Sequence, residues 1–203
     1  MYRLVIVSQF RNESSIIREW IEHYISEGVD HFYLIDHLSV DNPQKILDDY
    51  KDKITIIRDN SPNIRNLQEN NINKYYLNIV KRNAEWCIVC DVDEYIYSRK
   101  GFHTIKDTLT YFENNGKINI SILWKIFGTN NNKQTPESIV YSLTKKNKYG
   151  YIGDTNFNTN LRGHCKSLFK ITNSIEKLGI HITNNGFQRY ILHNDSILHN
   201  NHY

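Results

Sequence analysis

Asp91-Val92-Asp93 is the part of this chain whose chemistry can be argued most directly from residue types and spacing. Two carboxylates two residues apart on an extended chain point to the same side. Paired carboxylates facing one cleft hold a divalent cation through oxygen ligands, Mn²⁺ or Mg²⁺ being the expected ions here. Such a cation neutralises a diphosphate leaving group. Glu94 comes directly after Asp93 and, on an extended chain, points to the opposite face, so its removal is expected to matter less than that of Asp93. A solvated turn or a helix cap is the competing reading of the motif.

The motif gains weight from the elements that must position it. Trp86-Cys87-Ile88-Val89-Cys90 is wholly apolar and reads as a buried parallel strand. The aspartates lie at its carboxyl end, where open α/β sheets bind ligands. Three βα units come first. Arg3 to Gln9 reads as a strand, and Ile16, Ile17, Trp20, Ile21, Tyr24 and Ile25 form a helical stripe that Gly28 stops. Asn12 or Ser14 is expected to cap that helix. His31 to Asp36 is a second strand, and Asn42-Pro43 opens a short helix through Tyr50. Ile54 to Arg58 is a third strand, before a long polar helix from Ile64 to Arg82. Such alternation implies a mostly parallel sheet with right-handed crossovers. In the second half, Thr104 caps a helix to Glu113, and Lys117 to Phe127 is a strand. The pattern then loosens into short strands and loops, with Asn130-Asn131-Asn132 as a loop tip. We read one domain over 1–203, with a nucleotide-binding half (1–98) and an acceptor-side half (99–203).

Composition excludes several classes. A chain of 203 residues suits one α/β domain with a proper core. The net charge of +3 and the lack of a dense basic block argue against nucleic acid. The nearest cluster, Lys145, Lys146 and Lys148, reads as a solvated loop. No segment approaches a membrane span and no signal-peptide pattern is present, which gives a cytoplasmic expectation. Cys87 and Cys90 are three apart on a strand and face opposite sides. With Cys165 the count is odd, so reduced, buried thiols are expected.

The loops after the first two strands share a sheet edge with Asp91 and Asp93. Asn12 and Glu13 there either touch a nucleoside or cap the first helix. Asp36 is placed to accept a hydrogen bond from a base N–H or a ribose hydroxyl. Ser39 and Asp41 shape the turn and cap the second helix.

The chain resembles GT-A glycosyltransferases of the family 2-like kind, and family 92 in particular. Arg11-Asn12-Glu13 resembles the group's Lys-Asn-Glu, and Asp36-His37-Leu38-Ser39-Val40-Asp41 its Asp-Asn-x-Ser-x-Asp. Gln68 and Asn73 match its Gln…Asn helix, and Asp91 to Tyr95 its metal motif. Trp124, Phe127 and Gly128 match its Trp-x-x-Phe-Gly. Lys166-Ser167, Gly179-Ile180-His181 and Asn201-His202-Tyr203 match three later landmarks. Two departures stand out. His37 replaces an Asn and bears on base or ribose recognition. Lys170-Ile171 replaces Arg-Pro and removes support for a phosphate contact near residue 170.

The resemblance implies a GT-A fold and metal-dependent transfer from a UDP-sugar to a saccharide or protein-linked acceptor, with inversion. It implies donor contacts from Gln9, Arg11, Asn12, Glu13, Asp36, Gln68, Asn73, Asp91 and Val92. Asp93 is a direct cation ligand, with His181 or His202 as a late third ligand to the Asp91/Asp93 pair. Trp124, Phe127 and Gly128 lie on the acceptor side, where the two rings either stack on a sugar face or pack in the core. Inversion needs a base for the acceptor hydroxyl, for which Glu137 and Asp154 are candidates. The resembling sequences continue into another helix, so a module of a longer protein is expected. Three rivals stay open: a phosphatase, a nucleotidyltransferase, and an inactive nucleotide-sugar-binding domain. The first normally carries its paired aspartates after the first strand, and the second opens with a Gly-rich loop that is absent after strand one.

Overall fold

The computed structural model describes residues 1–129, 131–145, 165–183, 186–192 and 197–203. Its first half alternates strand and helix: β1 (Tyr2–Phe10), α1 (Ile17–Ser26), β2 (His31–His37), α2 (Gln44–Leu47), β3 (Ile54–Asp59), α3 (Leu67–Asn83) and β4 (Ala84–Val89). Then come β5 (Glu94–Ser98), α4 (Ile105–Asn114), β6 (Asn119–Ile126), α5 (Ile139–Ser142), β7 (Cys165–Lys170), β8 (Tyr190–Leu192) and β9 (Leu198–His202). The sheet order is β3-β2-β1-β4-β7-β6-β9-β5, with β8 beside β6. Strands β3, β2, β1 and β4 are parallel. Strand β7 is antiparallel to both β4 and β6, and β9 runs parallel to β6 and antiparallel to β5. This is the mostly parallel α/β architecture expected.

The unbroken apolar run of β1 reflects burial on both faces. Leu4 and Ile6 pack with Ile17, Trp20, Ile21 and Tyr24 of α1, while Val5 and Val7 pack with Ile72, Tyr76 and Val80 of α3. Strand β4 divides the same way. Cys87 joins the second cluster and Cys90 the first, so their sulfurs face apart as read, and all three cysteines are buried and outside any disulfide among the described residues. Gly28 ends α1 at φ +87°, where a Cβ would lie 2.7 Å from the Lys106 side chain. Thr104 caps α4 in a reciprocal box with Asp107.

Several local expectations are corrected. Neither Asn12 nor Ser14 caps α1, whose Ile16 and Ile17 amides go to the Glu13 carbonyl. Asn12 adopts a left-handed φ of 59°. Its side-chain carbonyl accepts the Val40 amide at 2.8 Å, and its own amide donates to Ser39 Oγ at 2.9 Å. Asp41 accepts the Ser14 amide at 2.8 Å rather than capping α2. These short polar side chains thus stitch the β1 and β2 loops together, because a cross-loop partner satisfies the same groups as a local cap. The expected second helix is only α2 with a 3₁₀ turn after it at Asp48–Tyr50. Helix α3 starts three residues later than read, after Asn66 in the left-handed region.

Candidate active site

Five elements meet at the carboxyl ends of β1, β2 and β4, around a cleft of about 390 Å³. The end of β1 contributes Gln9, Arg11 and Glu13. His37 comes from β2, Gln68 from α3, Asp91 to Asp93 from beyond β4, and His202 from β9. Both aspartates reach the cleft, as expected, but not along an extended chain. Residues 91–94 form a turn closed by the Glu94 amide on the Asp91 carbonyl at 3.2 Å. Helix α1 anchors the exit of this turn. Trp20 Nε1 and Tyr24 Oη donate to the Glu94 carbonyl at 3.1 and 3.0 Å, and the Ile96 amide donates to Tyr24 Oη at 3.0 Å.

The turn overturns the expectation for Glu94. Its side chain is fully buried, accepts the Asp91 amide at 3.0 Å, and lies 3.2 Å from Lys166 Nζ. Lys166, 1% exposed on β7, also reaches Asp91 Oδ2 at 2.6 Å. Gln68 Nε2 donates to Asp91 Oδ1 at 2.6 Å. Both Asp91 oxygens are therefore engaged from within the protein. Burial works to raise the Asp91 pKa, but Lys166 and Gln68 outweigh it and hold the group below the usual carboxylate range. Burial pushes Glu94 up to about 7 despite Lys166. Lys166 is raised, because its two carboxylates outweigh its own burial.

Asp93 differs. Its side chain is 40% exposed, and its nearest ion partner is His202 Nε2 at 3.4 Å. Burial favours neutral His202, yet Asp93 raises its pKa. The His202 ring stacks on Trp124 with centroids 4.6 Å apart, and the Tyr203 amide donates to the Asp93 carbonyl at 3.0 Å. Glu13 is pushed up to about 7 by burial and by the charges of Asp93 and Asp41.

The remaining expected residues take varied places. Asp36 is buried in its own turn, accepting the Ser39 amide at 2.9 Å with Arg58 at 3.6 Å, and does not line the cleft. Asn12 joins the β1 and β2 loops and does not line it either. Asn73 clasps the Leu178 amide and carbonyl at 2.7 and 2.9 Å, away from the cleft. The His181 carbonyl accepts Ser167 Oγ at 2.8 Å, and its ring meets the edge of Trp124. Phe127 stacks on Tyr203 with centroids 4.8 Å apart, so one face of each acceptor-side ring is already covered. The Gly128 amide donates to the Lys145 carbonyl at 3.0 Å. Glu137 is exposed, and Asp154 lies outside the described residues.

A family model for glycosyltransferase family 92 matches residues 6–203, nearly the whole chain. The chain belongs to glycosyltransferase family 92. No protein of curated function matches it in sequence. Among solved structures, S. aureus TarS 1–349 in complex with UDP is similar at 16% identity with a TM-score of 0.47, covering 66% of this chain and 38% of that one. S. aureus TarS in a longer form gives 15% and 0.42, covering 66% and 23%. HddC from Yersinia pseudotuberculosis gives 19% and 0.35, covering 63% and 58%. The matched part of this family 92 chain covers well under half of either TarS structure. Family membership sets the phosphatase and nucleotidyltransferase readings aside.

Sequence reasoning gave no role to two residues that matter in this family 92 site. Lys166 entered only as a landmark. Its signal was a charge inside Cys165-Lys166-Ser167-Leu168-Phe169, an otherwise small or apolar strand. Asn71, one turn beyond Gln68, donates to Gln9 Oε1 at 3.1 Å and to Asp59 at 3.0 Å, fixing the β1 end of the cleft. It could have been found by its position, i+3 from Gln68 on the same helix face.

Proposed function

We propose that this chain transfers a sugar from a nucleoside-diphosphate sugar, UDP-sugar by preference, to a hydroxyl of a saccharide or protein-linked acceptor, with a divalent cation and inversion at the anomeric carbon. The observation that carries the reading is the division of labour in the 91–94 turn. Lys166 and Gln68 hold Asp91 from behind, while Asp93 faces the cleft beside His202.

The donor set fits a cation that completes its shell with substrate. Among the described residues no three His, Cys, Asp or Glu side chains surround one point. Asp93 and His202 offer an oxygen and a nitrogen. A hard cation of the Mg²⁺ kind is commonly held by one or two carboxylates together with substrate phosphates. When bound, it supplies positive charge to the departing diphosphate. Asp91, locked by Lys166, sets the angle at which Asp93 leaves the turn. Gln9, Arg11 and His37 face the cleft from the sheet edge, where α/β folds place a nucleoside. The preference for uracil comes from the family resemblance.

The test is thermal shift with UDP, GDP and CMP, each with Mn²⁺ or Mg²⁺ and again with EDTA. A ligand bound only to the native state raises the melting temperature. We expect the largest shift with UDP and metal together. An equal UDP shift in EDTA overturns the metal, and a larger GDP shift overturns the base. Hydrolysis of UDP-sugars without acceptor then separates an enzyme from an inactive binding domain.

A further inference from the structure

A second cavity, of about 340 Å³, opens beside the donor cleft. Glu13 and Asp93 line both spaces. A group in the second cavity therefore meets a group in the donor cleft across these two carboxylates, an arrangement that a two-substrate transfer needs.

The cavity is built by elements fixed in place. Its outer wall is the segment 132–136 together with Ile139 of α5. Glu19 of α1 clamps that wall, accepting Ser138 Oγ at 2.5 Å and the Ile139 amide at 3.0 Å. The Asn132 amide closes a turn on the Thr129 carbonyl at 2.9 Å. On the inner side, Tyr203 is tied to Asp93 through its amide.

The lining states what kind of ligand fits. Ile16, Ile139, Leu143 and the Tyr203 ring make an apolar floor, while Asn132 and Gln134 bring amides to the rim. A sugar ring presents this same pair of surfaces, a C–H face and an edge of hydroxyls. An anionic ligand is disfavoured by Glu13 and Asp93, with Lys133 as the one cation among the lining residues. A lipid chain would leave the amides and carboxylates without hydrogen bonds.

Glu13 is the group at the junction. Its carboxylate is partly buried, and no hydrogen bond or ion pair occupies it among the described residues. Asp93, by contrast, has His202 beside it. We infer that this second cavity is the acceptor subsite, that it takes a neutral saccharide, and that Glu13 accepts a hydrogen bond from the acceptor hydroxyl and points it into the donor cleft. This moves Glu13 from the nucleoside contact expected from the sequence to the acceptor side. It also replaces Trp124 and Phe127 as the acceptor platform. The inference rests on the glycosyltransferase reading proposed for this chain.

The experiment measures saturation transfer by NMR from the protein to methyl β-galactoside, methyl β-glucoside and methyl α-mannoside, with UDP and Mg²⁺ present. Wild type is compared with Glu13→Gln and with Asn132→Ala/Gln134→Ala. UDP affinity of each protein is measured by calorimetry. The Asn132 and Gln134 side chains are exposed, so the double variant should fold normally. We expect transfer to at least one glycoside in wild type. Both variants should weaken it by about tenfold, the effect of removing the charge from one substrate hydrogen bond or of losing two neutral ones. UDP affinity should stay within about twofold for the double variant. If UDP binds and no glycoside shows transfer, or if the signal survives both variants, the subsite assignment is wrong. If UDP itself fails to bind, the donor reading fails instead.

Discussion

The two halves of the molecule contribute different partners to one turn. The parallel half, β1 to β4 with the turn after it, brings Glu13, Asp91, Asp93 and Glu94. The later half brings Lys166 on β7 and His202 on β9. In the first half each strand pairs with a neighbour reached by a βα crossover, and its site residues sit in loops at the strand ends. In the second half the chain order is scrambled. Strand β7 inserts between β4 and β6, and β9 bridges β6 and β5. Lys166 and His202 therefore come from sequence positions some 75 and more than 100 residues from the carboxylates they meet. The acidic motif is local and the partners that hold it, Lys166 and His202, are not, so the motif visible in sequence is only half of the unit.

The comparison breaks hardest at Lys166. Lys166→Met leaves the fully buried Glu94 and the half-buried Asp91 without their cation. Removing one partner of a buried ion pair typically costs about 3–5 kcal/mol. Urea denaturation should show a loss of that size. Adding Glu94→Gln to Lys166→Met should return part of it, because one buried charge then disappears with the other. A single variant as stable as wild type would mean that Lys166 does not hold the turn.

Asp93 tests the exposed side of the same turn. Asp93→Asn keeps the shape and loses charge at the cleft. The melting temperature without ligand should stay near wild type, since this side chain faces solvent. The metal-dependent UDP shift should vanish, and transfer should fall about a hundredfold, as when one electrostatic contact to the departing group is removed. Retention of more than about a tenth of turnover would take the cation away from Asp93.

The smallest expected effect lies at the other end of the sheet, where the halves meet again. Glu113 of α4 binds Arg3 of β1 at 2.8 Å, Lys170 of β7 at 2.7 Å and Trp86 Nε1 of β4 at 3.0 Å. The Arg3 hydrogen bond, aided by Lys170, holds the Glu113 pKa at about 2. A carboxyl depressed on folding stabilises the protein above its unfolded value near 4.5, and that contribution is lost as pH falls through about 2. The stability difference between wild type and Glu113→Gln should be on the order of 2 kcal/mol at pH 6 and shrink steadily below pH 4.5. A difference that is constant across this range would show that Glu113 is not depressed by its partners.

Much of the first half was legible in the sequence. The run Leu4 to Val7 announced a strand, which the structure covers on both faces, and the α1 stripe announced the helix that covers one of them. Gly28 and Thr104 marked their helix ends, because a left-handed stop and a capping box are chosen within a few residues. The position of Asp91 and Asp93 beyond an apolar strand came from the same local rules, and so did the opposed faces of Cys87 and Cys90. Asn12, Ser14, Ser39 and Asp41 were misread as caps. Each can satisfy a nearby amide, and only the approach of the β1 and β2 loops decides which amide that is.

Tertiary structure alone decided the rest of the site. The orientation of Glu94 depended on the chain turning at 91–94, with α1 holding the Glu94 carbonyl from outside the motif. The role of Lys166 depended on β7 pairing antiparallel beside β4, which no local periodicity encodes. The neighbourhood of Asp93 and His202 depended on β9 returning past β6 to the carboxyl ends of the first strands. Local propensity and burial period act over a few residues and fix elements. Charge pairing at a buried site acts between whichever side chains the sheet order brings within reach.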